Sequence, residues 1–180
     1  SSAASDVYKR QMLWATYRAD PWTKKTLENG LNPELAAKAG NALQKYVIEN
    51  TRLGIPLFLA EEAPHGHMAI GTTVFPTGIG MAATWSPVLI EEVGNVIAKE
   101  IRSQGAHISY GPVLDLSRDP RWSRVEETFG EDPVLSGRLG AAMVIGLGSG
   151  DLSREYATIA TLKHFLAYAV PEGGQNGNYA

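Results

Sequence analysis

Nine charged side chains of both signs crowd around Trp122 in residues 111–133, GPVLDLSRDPRWSRVEETFGEDP. Arg118, Arg121 and Arg124 alternate there with Asp115, Asp119, Glu126, Glu127, Glu131 and Asp132. Guanidinium groups donate hydrogen bonds in a fixed fork and carboxylates accept them, so the alternation suits a neutral ligand rich in hydroxyls. The same residues would equally serve as a structural ion-pair network holding a long loop, and composition alone does not separate the two. What favours a site is position. An apolar run ends just before the polar stretch, and in parallel α/β folds ligands sit beyond the carboxyl ends of the strands.

Two further polar groups follow apolar runs in the same way. Residues 61–67 read Glu61-Glu62-Ala63-Pro64-His65-Gly66-His67, and residues 163–164 are Lys163-His164. With the arginine-rich stretch they supply carboxylates, guanidiniums, an ammonium and imidazoles, a set that fits a sugar. A metal centre built from His65, His67, Glu62 and His164 is the sharpest competitor, but an HxH pair without a fixed third ligand is a weak signal, and no metal is expected. The plainer role for His65 and His67 is to hydrogen-bond backbone and fix their turn. A Ser-His-Asp triad lacks a nucleophile turn of the GxSxG kind. Lys163 as a Schiff-base amine is conceivable beside apolar residues, but a sugar contact suits it better.

The elements that must position these residues are legible from pattern. Asn32-Pro33, Ser86-Pro87 and Asp132-Pro133 each place a capping side chain before a proline at the first helical position. The helices that follow carry apolar stripes at Leu35, Ala39, Ala42, Leu43, Tyr46 and Val47; at Leu89, Val93, Val96, Ile97 and Ile101; and at Leu135, Leu139, Ala142, Met143 and Gly146. The third stripe is narrow enough for close packing of helix on sheet. Between the helices lie short runs, apolar on both faces, at 12–17, 55–60, 107–110 and 158–165, as buried parallel strands require. The order strand–helix repeated to a fourth strand predicts an α/β fold with a parallel sheet and right-handed crossovers. That is about half of a TIM-like (β/α)8 barrel, or a small doubly wound sheet. No GxGxxG follows the first strand and no GxxxxGK[ST] occurs, which removes most of the case for a nucleotide-binding sheet.

Composition narrows the classes further. An apolar content of 44% in 180 residues provides for a sizeable core. A net charge of -3 argues against nucleic acid as a partner. The absence of cysteine excludes disulfides, thiolate metal sites and cysteine nucleophiles. No apolar run is long enough to span a membrane. Residues 1–11, SSAASDVYKRQ, read in one frame as the translation of a transposase-based sequencing adapter, so native sequence is expected from Met12 and the domain is read over 12–180.

Four blocks taken together, IPLFLAEEAPHGH, GTTVFPTGIGMAATWSP, GPVLDLSRDPRWSRVEETFGEDP and ATLKHF, resemble the N-terminal domain of glycoside hydrolase family 3 over residues 54–165. The resemblance implies a (β/α)8-like barrel in an exo-acting, retaining β-glycosidase of the β-glucosidase or β-xylosidase type, acting on non-reducing ends of β-linked oligosaccharides and polysaccharides. By the same resemblance Arg124, Lys163 and His164 match residues that grip the terminal sugar, and Glu127 matches a further motif carboxylate near the pocket. Glu62 falls where many β-glucosidases of the family carry aspartate. A side chain one methylene longer would occupy the space of a hexose hydroxymethyl group, a bias worth about 1–3 kcal/mol. The absence of a PGHG continuation after the KHF block sets the chain apart from the aminosugar-cleaving branch.

Retaining glycosidases use two carboxyls about 5–5.5 Å apart. In this family the nucleophile is an aspartate in a Ser-Asp-aromatic motif later in the barrel, and the acid/base usually lies beyond it. Neither has a counterpart here, so no catalytic residue is assigned and the chain alone is expected to hydrolyse nothing. No cofactor is implied, since carboxylates and water suffice. Export to the periplasm or medium is expected from the resemblance alone. The competing expectation is a non-catalytic sugar-binding α/β module or a decayed gene fragment.

Overall fold

The computed structural model of the chain describes residues 11–177. The adapter-like stretch therefore lies outside the described residues, apart from Gln11. Strands β1 (Met12–Trp14), β2 (Phe58–Glu62), β3 (Ile108–Tyr110) and β4 (Ile159–Ala160) form one parallel sheet in the order β1-β2-β3-β4. Between them run α1 (Pro33–Asn50), the short α2 (Gly78–Ala82), α3 (Pro87–Ser103) and α4 (Pro133–Leu147). A sequential strand order without reversal is that of a (β/α)8 barrel, and right-handed crossovers then put the helices on one side of the sheet. The doubly wound alternative needs a point where the strand order reverses, and the described strands contain none.

The three long helices begin where their caps predict. The side chains of Asn32, Ser86 and Asp132 accept from the backbone N–H of Leu35, Leu89 and Leu135 at 2.9, 3.3 and 2.8 Å. Their buried faces differ from the expected stripes in an instructive way. In α1 the core takes Ala36, Gly40 and Val47, while Leu35 and Tyr46 face outward. The Tyr17 hydroxyl lies where a β-carbon on Gly40 would be, 2.2 Å from its ideal position, so an aromatic from outside the helix fills the room a large aliphatic would take. Gly146 likewise serves a different contact from the one expected. A β-carbon there would stand 2.2 Å from the Glu91 carbonyl oxygen, and Gly94 faces it, so α3 and α4 touch backbone to backbone. The helix–sheet role expected of Gly146 is thus corrected to a helix–helix role.

The strands are shorter than the apolar runs. β1 stops at Trp14 because Ala15 turns to a positive φ of 54°. β2 starts later and ends later than the run at 55–60, so both Glu61 and Glu62 lie inside the strand. The β3–β4 ladder breaks at Pro112, which has no N–H to contribute, and resumes as an isolated bridge between Val113 and Lys163.

Alternation gives the sheet two unlike faces. Leu59, Glu61 and Ser109 point into the helix layer and are sealed there with Ile90, Ile97 and Ile101 of α3 and Leu139, Met143 and Leu147 of α4. Met12, Trp14, Phe58 and Ile159, on the opposite face, are all exposed by more than two-fifths. No helix among the described residues is long and apolar enough to cross a membrane.

Candidate functional site

The carboxyl ends of the strands open into a cleft of about 860 Å³ lined by Glu62, Arg124, Glu127, Lys163 and His164, with Trp14 at its edge. All five residues singled out from the sequence therefore meet in one place. They come from three separate segments: the end of β2, the loop after β3, and the chain after β4.

Each charged group is held by an opposite one. Lys163 Nζ donates to Glu62 Oε2 at 2.8 Å, and both side chains are largely buried. The other oxygen, Glu62 Oε1, accepts from the Trp14 indole at 3.2 Å. Arg124 grips Glu127 with two parallel bonds, Nε to Oε1 at 2.5 Å and Nη2 to Oε2 at 2.6 Å. That pair spans a 3-10 turn at Val125–Glu127, which puts the fork and the carboxylate three residues apart on one side. His164 Nδ1 lies 2.7 Å from Asp115 Oδ2, and its backbone N–H donates to the same oxygen at 3.1 Å.

Tyr168 packs these groups together. Its ring lies 4.8 Å from His164 and 5.5 Å from Trp122, and the Arg124 guanidinium sits 5.4 Å from its centroid. Trp122, buried, donates from its indole to Asn176 Oδ1 at 3.1 Å. The tryptophan at the centre of the charged loop is thus the floor on which the site stands. The rest of that loop divides between the two expected roles. Asp119 and Arg121 pair with each other in solvent, while Arg124 and Glu127 face the cleft.

The electrostatics follow from this pairing. Burial acts to raise the Glu127 carboxyl, but the Arg124 fork, aided by Lys163 and His164, outweighs it and holds the group below the ordinary range. The hydrogen bonds to Glu127 raise the Arg124 guanidinium in turn. The Arg124–Glu127 pair therefore stays charged at neutral pH. Burial raises the Glu61 carboxyl to about 7. It lies in the helix layer, where its Oε1 accepts from Tyr17 N at 3.1 Å.

The metal alternative does not assemble. No group of three or more His, Asp or Glu side chains among the described residues is placed to hold an ion. His65 lines the cleft, whereas His67 is sealed in the core, where burial lowers its ring to about 4. The turn between them is fixed through their carbonyls rather than their rings. Phe75 N donates to His65 O at 3.0 Å and Thr72 Oγ1 to His67 O at 2.5 Å. Gly66, at φ +125°, lets the Thr73 carbonyl approach where a β-carbon would stand 2.3 Å away. The Lys163 amine is engaged by a carboxylate, the arrangement of an ion-pair donor rather than of a free nucleophile.

Trp14, Tyr168, Arg18 and Asp20 also bear on the cleft, and sequence reasoning did not single them out. Trp14 is hidden in an apolar run, and no spacing rule ties Tyr168 to His164. Arg18 and Asp20 form a pair at 2.5 Å after β1, and that short charged doublet was the available signal.

Comparison with known proteins agrees with the fold and with the blocks. A family model described as the glycosyl hydrolase family 3 N terminal domain matches residues 25–180. The chain is 38% identical over 136 residues to a periplasmic beta-glucosidase of Salmonella typhimurium, covering 76% of this chain and 17% of that protein. It is 41% identical over 139 residues to a beta-xylosidase of Formosa agariphila, covering 73% of this chain and 19% of that one. A solved β-glucosidase structure from Erythrobacter marinus superposes with a TM-score of 0.85 at 32% identity, over 99% of this chain and 23% of that one. The chain thus spans about a fifth of the length of these relatives.

Proposed function

Because the chain belongs to glycosyl hydrolase family 3, we propose that it is the sugar-gripping part of an exo-acting, retaining β-glycosidase that removes β-D-glucosyl or β-D-xylosyl residues from non-reducing ends. The observation that carries this reading is the convergence of donors and acceptors on one cleft. Arg124, Lys163 and His164 supply donors, Glu62 and Glu127 supply acceptors, and each is pinned by a neighbour before any ligand arrives. Pre-organisation of this kind lowers the ordering cost of binding a ring whose hydroxyls project all round. Both oxygens of Glu62 are already fixed by donors, so a terminal sugar meets a carboxylate of set position, and the extra methylene relative to aspartate favours a pentose over a hexose. The nucleophile and acid/base are supplied by other parts of the enzyme. The substrate is a β-linked oligosaccharide, and the compartment is the periplasm or the medium, as the name of the Salmonella relative suggests.

The test is turnover of 4-nitrophenyl β-D-xyloside and β-D-glucoside by the full-length gene product, with the anomer of the released sugar read by NMR. Retention is expected, with Glu62→Asp shifting preference toward the glucoside. Turnover of neither glycoside, or release of the inverted anomer, would refute the reading.

A further inference from the structure

We propose that Trp14 is a positioning residue for Glu62 and, through it, a determinant of the choice between pentosides and hexosides. The inference rests on the reading of Glu62 given above. Trp14 is the last residue of β1 and pairs with Ala60, while Glu62, two residues further along β2, pairs with Tyr110 of β3. All four therefore share the face that bears the cleft. The Trp14 indole N–H donates to Glu62 Oε1 at 3.2 Å and Lys163 Nζ donates to Oε2 at 2.8 Å. The indole ring lies against Tyr110, centroids 6.1 Å apart and planes inclined by 29°.

A glutamate has one more rotatable bond than an aspartate, and the advantage of its length disappears if the side chain folds aside. An ammonium on a flexible four-carbon stem follows a carboxylate that moves. An indole fixed by its own strand and by an aromatic neighbour does not. Two donors on opposite oxygens, one of them rigid, fix the position and plane of the carboxylate. Trp14 is 55% exposed, so replacing it by a ring of similar shape opens no cavity in the core. Its contribution is directional, and it resides in one N–H.

The experiment is a double-mutant cycle in the full-length enzyme: wild type, Trp14→Phe, Glu62→Asp and the double variant, each read as the xyloside-to-glucoside ratio of kcat/KM. Loss of a hydrogen bond to a charged group predicts that Trp14→Phe lowers this ratio about tenfold. In the Glu62→Asp background the same change should alter it less than about twofold, because the shorter carboxylate no longer reaches the indole. Trp14→His, which keeps a ring N–H, should recover part of the ratio. An unchanged ratio in Trp14→Phe, or an equal change in both backgrounds, would overturn the assignment. If neither glycoside is turned over, the reading of the reaction fails, and the cycle read as the ratio of xylose and glucose Kd values still decides the role of Trp14. Absence of measurable sugar binding in the wild type would overturn both.

Discussion

Glu61 and Glu62 follow one another in β2, and strand alternation sends the first into the helix layer and the second to the cleft. Glu61 is 1% exposed, accepts a backbone N–H through one oxygen, and has its carboxyl raised to about 7. Glu62 sits between a cation and an indole that engage both its oxygens. The same side chain is thus sealed with its carboxyl raised on one face of the sheet and clamped between two donors on the other. Residue type gives no hint of this difference; partners do. At Glu61 desolvation favours the protonated acid and outweighs the backbone hydrogen bonds and the attraction of Arg18.

The largest expected effect comes from removing the cation on the cleft face. Lys163→Met leaves Glu62 a partly buried carboxylate without its counter-charge, and kcat/KM of the full-length enzyme should fall about a hundredfold or more on either glycoside. A fall of less than threefold would mean that the pair is structural. On the helix face the matching change is Leu59→Ala, a wholly buried side chain, expected to cost about 2–5 kcal/mol of stability in urea unfolding while turnover per folded molecule holds.

A third measurement uses proton linkage. The folded-state pKa of Glu61 lies above its ordinary 4.5, so the native state binds more protons than the unfolded state between about 4.5 and 7. The stability associated with protonated Glu61 is full below the lower value and is lost as pH rises through the upper one, up to about 3 kcal/mol. Glu61→Gln keeps the acceptor for Tyr17 N and should remove this slope from the pH dependence of unfolding. An identical slope in wild type and variant would assign it to other groups. The smallest effect belongs to the cap of α4: Asp132→Ala should cost about 1 kcal/mol in stability and leave the xyloside-to-glucoside ratio untouched.

Much of the architecture was legible because its signals are local. The three Asx/Ser-Pro starts fixed the long helices to the residue, since a cap and a proline act within one turn. Strand ends were less legible. β2 runs two residues past the expected 55–60, because nothing in the run itself marks where its neighbours stop pairing. The five cleft residues could be named through the motif blocks, yet their partners could not. Trp14 meets Glu62 across 48 residues, and Arg124 meets Tyr168 across 44, distances over which no spacing rule operates. The inward turn of Gly40 in place of Leu35 depended on the Tyr17 hydroxyl, a contact made by another segment.

The Glu62–Lys163 pair joins residues 101 positions apart. During synthesis, a ribosome-bound chain that has emerged only as far as β4 already displays Glu62 but has no ammonium to set against it. Contacts of this range close after local helices have formed. The cleft is therefore complete only when the fourth strand and the segment after it have docked, and under the proposed function its affinity for a sugar would serve as a clock for completion of this sheet.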